Sequence, residues 1–298
     1  MIRHALDPDP DPTHFLPTLA ADRPTLSTMP PVQLSKGIHV LHLFYRVDRH
    51  RWAAAPAEER AAVGSRLAAL EARWPGPGHP RMSTYATVGG KADFAVVLYF
   101  ADLVEISAAQ REVEASFPSG SLVTTYSYLS VTELPEYVTT DEDLRRMLQF
   151  GEKRLAPGTP EFDAAFAAAK QRNDEYLHYR LNPELPDWEI LCFYPMSKKR
   201  DQADNWYMLG IDARKELMRG HAKTGRKFAG RISQLITGSC GLDDWEWGVT
   251  LMAHQLDAVK EIVYEMRFDE VSARFGDFGP FYVNLRLPPA ELPAHLRL

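Results

Sequence analysis

The pattern of apolar and polar residues changes three times along the chain, and each change marks a different kind of segment. Residues 1–35 are rich in Pro, Asp and Thr and follow no helical or strand period, which predicts an irregular N-terminal arm. From there to residue 138, β-branched and aromatic runs alternate with amphipathic runs of helical period. The predicted elements follow the order β-α-β-β-α-β, over residues 38–47, 56–74, 82–88, 94–100, 103–117 and 122–134.

Residues 139–187 are charged and Ala-rich, and they predict helices that connect two halves of the molecule. Pro183 and Pro186 end this connector. Residues 188–298 then repeat the order of the first half, with Asp212 as the predicted N-cap of their first helix. The repeated elements cover residues 188–194, 213–224, 231–238, 245–252, 256–264 and 281–287.

The repeated order predicts an α+β fold of two ferredoxin-like domains. We therefore expect one domain over residues 36–138, a helical connector over 139–187 and a second domain over 188–298. The length of the chain, 298 residues, suits this division.

Charge and composition exclude several classes of protein. The formal net charge is -6, whereas a dedicated nucleic-acid binder needs a basic face. The first 21 residues contain the sequence DPDPDP in place of an apolar secretory core, and no stretch approaches the roughly 20 apolar residues of a membrane span. These features predict a cytoplasmic protein.

The two cysteines, Cys192 and Cys240, do not form a CxxC pair, and both fall in apolar stretches. We expect buried structural thiols in a reducing compartment. Short catalytic and phosphate-binding motifs are absent: the chain has no P-loop, GxGxxG, HExxH or GxSxG sequence. His39 and His42 lie on one predicted strand at an odd spacing, which puts them on opposite faces and argues against a shared metal.

His221 is the first residue with candidate chemistry. It shares a predicted helix face with Leu217 and Met218, so its imidazole faces the core. The residue is then either a hydrogen-bonded core histidine, which is the commoner outcome for such a pattern, or an axial ligand to iron.

The segment CFYPMSKKR is the second candidate. Pro195 predicts a turn after an apolar strand, with Tyr194 at the strand end and Lys198 just beyond it. A phenol beside a cation suits redox chemistry or proton transfer, although a tyrosine at the rim and a solvated lysine are the commoner outcome.

The third candidate is the segment YEMRFDEVSARFGDFG. Arg267 and Arg274, together with Ser272, could bind an anionic ligand. Alternatively, Arg267 pairs with Asp269 or Glu270 in a salt bridge.

Longer strings in the second half resemble the chlorite dismutase-like family, and most closely its coproheme decarboxylase branch. The matching strings are CFYPMSKKR, DNWYMLGIDARKELMRGHAKTGRKFAGRISQLITGSCGLDDWEWGVTL and IVYEMRFDEVSARFGDFG, with YSYLSVTEL in the first half. The resemblance covers residues 36–287 and is strongest from Cys192 onward. Strings of this length are far more specific than a short motif, and they favour the functional interpretations above.

The resemblance implies a dimeric α+β barrel formed by two ferredoxin-like domains within one chain, assembled as a homopentamer. It implies a haem site in the C-terminal half, with His221 as the iron ligand, Tyr194 as the tyrosine that carries the oxidising radical, and Lys198 as the lysine that delivers a proton. The remaining positions that it implies line the substrate or hold its propionates: Arg180, Pro195, Met196, Ser197, Gln234, Arg267 and Ser272.

The implied activity is the oxidative decarboxylation of two propionates of Fe-coproporphyrin III (coproheme) to vinyl groups with hydrogen peroxide, which gives haem b. The iron porphyrin is then both substrate and redox centre, and a coproporphyrin ferrochelatase is its implied source and transient partner. The alternatives are a haem-binding carrier or sensor without chemistry, and a chlorite dismutase or peroxidase. Gln234 disfavours chlorite decomposition, because the chlorite-decomposing relatives place an arginine there.

The chain departs from the branch in three places. The N-terminal arm and the 139–179 part of the connector are longer than usual, and Asn182 stands where a tyrosine is expected after Arg180. The assignment of Arg180 depends on the alignment across this connector.

Overall fold

Strands from both halves of the chain form one nine-stranded antiparallel sheet in the computed structural model, which describes residues 29–74, 78–152 and 154–298. The strand order is β7-β6-β4-β1-β3-β2-β9-β5-β8, and β7 pairs in addition with β5. Helices from both halves pack against strands of this sheet, so the fold is a mixed α+β fold. Most of the predicted arm, residues 1–28, lies outside the described residues.

The first half contains the predicted strands, which are β1 (His39–Val47), β2 (Arg81–Val88), β3 (Phe94–Phe100) and β4 (Leu122–Thr132). The helix predicted over residues 56–74 is divided at Ala62 into α2 (Ala57–Ala61) and α3 (Val63–Ala72), whereas α4 (Leu103–Ala115) is continuous.

An additional short helix, α1 (Arg49–Ala54), precedes α2. The Asp48 carboxylate caps it by accepting hydrogen bonds from the backbone N–H groups of His50 and Arg51.

The connector is helical, as predicted. Thr140 and Asp143 form a reciprocal capping box at the start of α5 (Asp141–Phe150). Thr159 caps α6 (Pro160–Leu181), whose first residue is a proline that needs no hydrogen-bond acceptor.

The second half contains β5 (Ile190–Lys198), α7 (Ile211–Arg226), β6 (Ile232–Gly238), β7 (Trp247–Ala253) and α8 (Leu256–Met266). The chain then forms α9 (Glu270–Phe275), β8 (Gly276–Phe278), β9 (Tyr282–Arg286) and α10 (Leu292–His295). The prediction did not include α9, β8 or α10. The prediction of Asp212 as an N-cap is wrong, because Gly210 is the N-cap and Asp212 lies in the first turn.

The predicted turn at Pro195 is also wrong. β5 continues through Pro195 to Lys198, with Pro195 opposite Gly248 of β7. On its other edge, β5 pairs with β9 up to Phe193 and with β8 from Met196 onward, so Pro195 falls in the gap between the two partners. In this gap the Gly279 N–H donates to the Pro195 carbonyl (2.9 Å). The proline nitrogen faces the same gap, where neither strand pairs with it, so the missing N–H of proline breaks no ladder hydrogen bond.

Two strand pairs join the halves of the chain. β4 pairs with β6 at Val131 and Thr132, and β2 pairs with β9 over Tyr85–Val88. Because the two halves share one sheet, the division into domains at residues 36–138 and 188–298 stays a prediction.

Side chains of β5 alternate between two separate apolar clusters. Leu191 and Phe193 pack in a cluster with residues of the first half, including Val40 and Phe44. Cys192 and Tyr194 point the other way, into a cluster formed by β5, β6, β7 and α8. We refer to this second side as the C-terminal sheet face.

The cysteines differ in exposure. Cys192 is buried on the C-terminal sheet face, as expected, whereas the prediction of a buried Cys240 is wrong because this residue is exposed in the turn after β6. In the described parts of the chain, we find no helix that is both long and apolar enough to span a membrane.

Candidate functional site

Tyr194 lies on the C-terminal sheet face, where antiparallel pairing fixes its neighbours. It is opposite Val249 of β7, which is in turn opposite Ile236 of β6. Its ring stacks on Phe281 at 4.3 Å between centroids, and its residue surface is only 6% exposed. Burial raises the pKa of the Tyr194 phenol, so the group is a neutral O–H donor near neutral pH.

Lys198 lies on the same face as Tyr194, four residues further along β5. Its ammonium is 4.7 Å from the ring centroid of Trp206, which is a cation–π contact. Burial lowers the pKa of Lys198 to about 8, against the nearby Asp269 and Glu246 carboxylates, which raise it. Lys198 is therefore a cation that can release its proton close to neutral pH.

His221 is held by a carboxylate from a different helix. Its Nδ1 is 3.0 Å from Oδ2 of Asp269, the N-cap of α9. Burial acts to raise the Asp269 pKa, but hydrogen bonds from His221 and Ser272 outweigh it, so the pKa lies below its usual value. Because a carboxylate only accepts, Nδ1 carries the proton and Nε2 is left as a lone-pair donor.

Ser272 belongs to this group through Asp269. Its backbone N–H donates to Oδ1 of Asp269 (3.0 Å), and its hydroxyl donates to Oδ2 (3.2 Å). The charge of the same Asp269 carboxylate acts to raise the Lys198 pKa. The structure therefore brings Lys198, His221 and Ser272 together around one carboxylate.

Gln234 faces helix α7 from the sheet. It lies on the C-terminal sheet face, opposite Leu251, which is opposite Cys192. A Cβ atom placed on Gly225 would be 4.0 Å from the Gln234 amide nitrogen. Since Gly225 follows His221 by four residues, both lie on one side of α7, and the Gln234 amide faces that side.

Arg267 does not form the alternative salt bridge with Asp269 or Glu270. Its guanidinium lies 3.8 Å from the ring centroid of Phe278, whose ring is 6.1 Å from that of Tyr194. Its charge also lowers the Tyr194 pKa slightly against the effect of burial. Arg274 instead pairs with Asp204 (3.0 Å) and Glu270 (2.6 Å) on the surface, so it is not part of this group.

Arg180 approaches the sheet at a different point. Its Nη2 donates to the Glu133 carbonyl (3.3 Å), and its Nε is buried without a hydrogen-bond partner in the described residues. The Glu133 carboxylate accepts from the indole of Trp247 (3.2 Å), and Trp247 is opposite Met196. Arg180 therefore connects to β5 only through these intermediate residues.

The other predicted substrate contacts divide between the two faces of β5. Met196 packs against the C-terminal sheet face with Tyr194. By the alternation of a strand, Pro195 and Ser197 point away from it. The Ser197 hydroxyl accepts a hydrogen bond from the Glu246 N–H (3.2 Å).

Sequence reasoning missed Asp269, Glu246 and Trp206. Asp269 was considered only as a partner of Arg267, although Asp is among the preferred N-cap residues of helices. Glu246 and Trp206 contact Lys198 through the tertiary fold, and no local pattern indicates these contacts.

The residues of this region fit an iron porphyrin with carboxylate side chains. The Nε2 atom of His221 is an imidazole nitrogen, the kind of donor that binds haem iron. Partly buried apolar side chains pack against the cluster that contains Tyr194 and suit a flat macrocycle; they include Met196, Ile236, Val263, Met266, Phe278 and Phe281. Lys198 and Arg267 supply positive charge for propionates, and the unpaired Nε of Arg180 is a further donor. In the described residues, we find no group of His, Cys, Asp and Glu that would hold a metal ion without such a macrocycle.

A separate cleft of about 450 Å³ lies between α3, β2 and β9. Its charged side chains pair with one another, since Asp187 contacts both Arg81 and Arg286, and Glu71 contacts Arg286. The charges in this cleft are balanced, and none of the residues above lines it.

The chain combines a mixed α+β fold with a histidine–carboxylate pair and with a tyrosine and a lysine on one sheet face. The family model for chlorite dismutase matches residues 58–287 of the chain. The chain belongs to the chlorite dismutase family.

Individual relatives agree with this assignment. A coproheme decarboxylase from Thermus thermophilus is 38% identical over 271 residues, which cover 90% of this chain and 97% of that protein. A relative from Haloquadratum walsbyi whose name refers to haem binding is 40% identical over 275 residues, 91% of this chain and 48% of that protein. The chain thus spans about half the length of the Haloquadratum relative.

Solved structures share the fold. A haem-binding protein from Thermus thermophilus superposes with a TM-score of 0.69 at 39% identity, over 90% of this chain and 98% of that one. A chlorite dismutase variant from Candidatus Nitrospira defluvii gives a TM-score of 0.64 at 19% identity, over 89% of this chain and 98% of that one. The second likeness concerns the fold alone.

Proposed function

We propose that the protein is a coproheme decarboxylase, which converts two propionates of Fe-coproporphyrin III to vinyl groups with hydrogen peroxide and releases haem b. The observation that carries the proposal is the position of Tyr194 and Lys198 on one strand face, with the His221–Asp269 pair joined to Lys198 through the Asp269 charge. The similarity to the Thermus coproheme decarboxylase supports the same substrate.

The overall reaction balances for each propionate. A propionic acid side chain loses CO₂ and two hydrogen atoms to become a vinyl group, and hydrogen peroxide takes up these hydrogens to become two molecules of water. The bound iron porphyrin would supply the iron at which the peroxide is reduced.

The residues of the chain have separate roles in this proposal. His221 would bind the iron through Nε2, with Asp269 holding the ring in the required tautomer. Tyr194 would give up its phenolic hydrogen atom and regain one from the propionate, which starts the loss of CO₂. Lys198, as a cation, would hold the reacting carboxylate and supply a proton.

The propionates that do not react would be held by charge-assisted hydrogen bonds from Arg180 and Arg267, and by Ser272. Met196 would pack against the macrocycle, and Gln234 would face it as a neutral group. Pro195 would shape the strand, and Ser197 would contact the substrate only through its backbone, since its side chain points to the other face.

The finer architecture belongs to the same proposal. We infer two ferredoxin-like domains, over residues 36–138 and 188–298, that close into a dimeric α+β barrel. The additional pairing of β5, the last strand but one in the order, with β7, the first strand, supports this closure. A homopentamer, a cytoplasmic location and a transient contact with coproporphyrin ferrochelatase are further parts of the proposal.

Three assays on one preparation separate the candidate functions. A decarboxylase turns over coproheme with peroxide faster than it oxidises dyes, and it does not evolve dioxygen from chlorite. Binding of coproheme without turnover would indicate a carrier or sensor, and fast release of dioxygen would indicate a chlorite dismutase; either result contradicts the proposal.

A further inference from the structure

Glu246 lies directly before β7, next to the backbone of Lys198. The Glu246 residue is 9% exposed, and its Oε2 accepts a hydrogen bond from the Lys198 N–H at 2.8 Å. The Glu246 N–H donates in return to the Ser197 hydroxyl (3.2 Å), and its carbonyl accepts from the Ser239 N–H (2.7 Å). The Glu246 carboxylate and backbone N–H are therefore both fixed to the end of β5, and the Glu246 carbonyl is fixed to the turn after β6.

A carboxylate at this depth needs compensating partners, because burial without them disfavours its charged form. One side of Glu246 faces the surface, where Tyr207 lies close to the carboxylate and Arg200 lies 3.9 Å from Oε1. The other side faces Lys198, whose ammonium senses the negative charge. Glu246 thus stands between a buried cation and groups at the surface.

The charged and aromatic groups around Lys198 come from three different elements. Asp269 approaches from α9, Glu246 from the turn before β7, and the Trp206 ring from the turn before α7. Asp269 already accepts hydrogen bonds from His221 and Ser272. Glu246 accepts no hydrogen bond from His221, so it can act on Lys198 independently of that histidine.

We propose that Glu246 is a positioning residue for Lys198: its carboxylate holds the end of β5 and places a negative charge near the buried ammonium. This inference rests on the proposed function only for the role of the charged lysine in the reaction. The position and charge of Lys198 can be measured without porphyrin or peroxide.

The test is the pH dependence of Lys198 acylation by trace acetic anhydride, followed by mass spectrometry of the full-length protein. Only the neutral amine reacts, so the midpoint reports the lysine. The wild type is expected to show a midpoint near pH 8. Glu246→Gln retains an acceptor for the Lys198 N–H but removes the charge, and we expect its midpoint to fall by about one pH unit.

Two further variants make the result specific. Glu246→Asp retains the charge one methylene further away, and we expect a midpoint between those of Glu246→Gln and the wild type. Glu112→Gln removes an exposed carboxylate that pairs with Arg73 in the first half, and we expect no shift. If Glu246→Gln did not fold, the intermediate shift in Glu246→Asp would still test the charge.

A midpoint unchanged in Glu246→Gln and in Glu246→Asp would overturn the proposal, as would an equal shift in Glu112→Gln. A shifted midpoint in a protein that never decarboxylates coproheme would keep the inference about Glu246 and reject the proposed function. Failure of the inference and failure of the proposed function are therefore distinguishable.

Discussion

The carboxylate of Asp269 accepts a hydrogen bond from Nδ1 of His221 at 3.0 Å, and this one contact fixes the chemistry of the imidazole. Asp269 is the N-cap of α9, and His221 lies in the middle of α7, so the contact also joins two helices. A histidine oriented in this way presents Nε2 as a basic donor, which the proposed function assigns to the iron.

Replacement of Asp269 by Asn is expected to weaken iron-porphyrin binding by about tenfold or more, because the His221 ring loses a charged acceptor. The helix cap is preserved, since Asn caps helices as well as Asp does. Titration of the apoprotein with ferric coproporphyrin III measures the affinity. Asp204→Asn, which removes a surface partner of Arg274, is the matched control and should bind as the wild type does. Equal affinity of Asp269→Asn and the wild type would show that the contact does not support a ligand.

Replacement of Tyr194 by Phe is expected to abolish decarboxylation and leave coproheme affinity within about threefold of the wild type. The stacking on Phe281 is retained, whereas the phenolic hydrogen is lost. Removal of one hydroxyl should change the free energy of unfolding by about 1 kcal/mol or less. Tyr264→Phe, at an exposed ring on α8, serves as the control and should remain active. Turnover by Tyr194→Phe at the wild-type rate would exclude a radical on this residue.

The Lys198 pKa of about 8 predicts how the reaction depends on pH. Burial lowers this pKa, so the proton is present below pH 8 and is lost as the pH rises through that value. A step that uses the ammonium should slow by about tenfold per pH unit above 8. Lys198→Met should react slowly and without this decline, whereas Lys227→Met, an exposed partner of Glu265, should keep the wild-type profile. A wild-type rate that rises through pH 9 would contradict the assignment.

His42 predicts an acid dependence of stability that is unrelated to the site. It is fully buried, its Nε2 is 3.0 Å from the Thr250 hydroxyl, and burial lowers its pKa to about 3. The folded state therefore keeps His42 neutral while the unfolded chain binds a proton below about pH 6.5, so stability falls as the pH decreases. Between pH 6 and pH 4, the wild type should lose about 1.4 kcal/mol per pH unit through this residue.

Urea unfolding at several pH values measures the effect of His42. His42→Gln retains a hydrogen-bonding group for Thr250, and its loss of stability on acidification should be smaller by that amount. His254→Gln, at an exposed histidine that pairs with Glu189, should follow the wild type. Identical acid slopes in His42→Gln and the wild type would show that burial does not set the His42 pKa.

The hydrophobic pattern predicted eight of the nine strands, all except β8, because β-branched runs with a two-residue period have few alternatives. Pro195 shows where this reasoning fails. A proline argues against a central strand, but its nitrogen falls in the gap between β8 and β9, which depends on pairing with residues about 80 positions away.

Cys240 and Asp269 show a second limit. The apolar neighbours of Cys240 predicted burial, yet the turn after β6 exposes it. Asp269 gains its importance from His221, which is 48 residues away in the sequence. Contacts of this kind arise from the packing of α9 against α7, and no local pattern of residues encodes them. The resemblance of long strings identified the family, but it did not indicate the carboxylates that hold His221 and Lys198.

The most direct test of the central claim is mass spectrometry of the porphyrin during a peroxide titration. Purified protein is mixed with one equivalent of ferric coproporphyrin III, and hydrogen peroxide is added stepwise. We predict two successive losses of CO₂ and two hydrogen atoms, ending at haem b after about two equivalents of peroxide are consumed productively, as the balanced reaction requires. A bound porphyrin whose mass does not change, or which is destroyed without a vinyl product, would contradict the account.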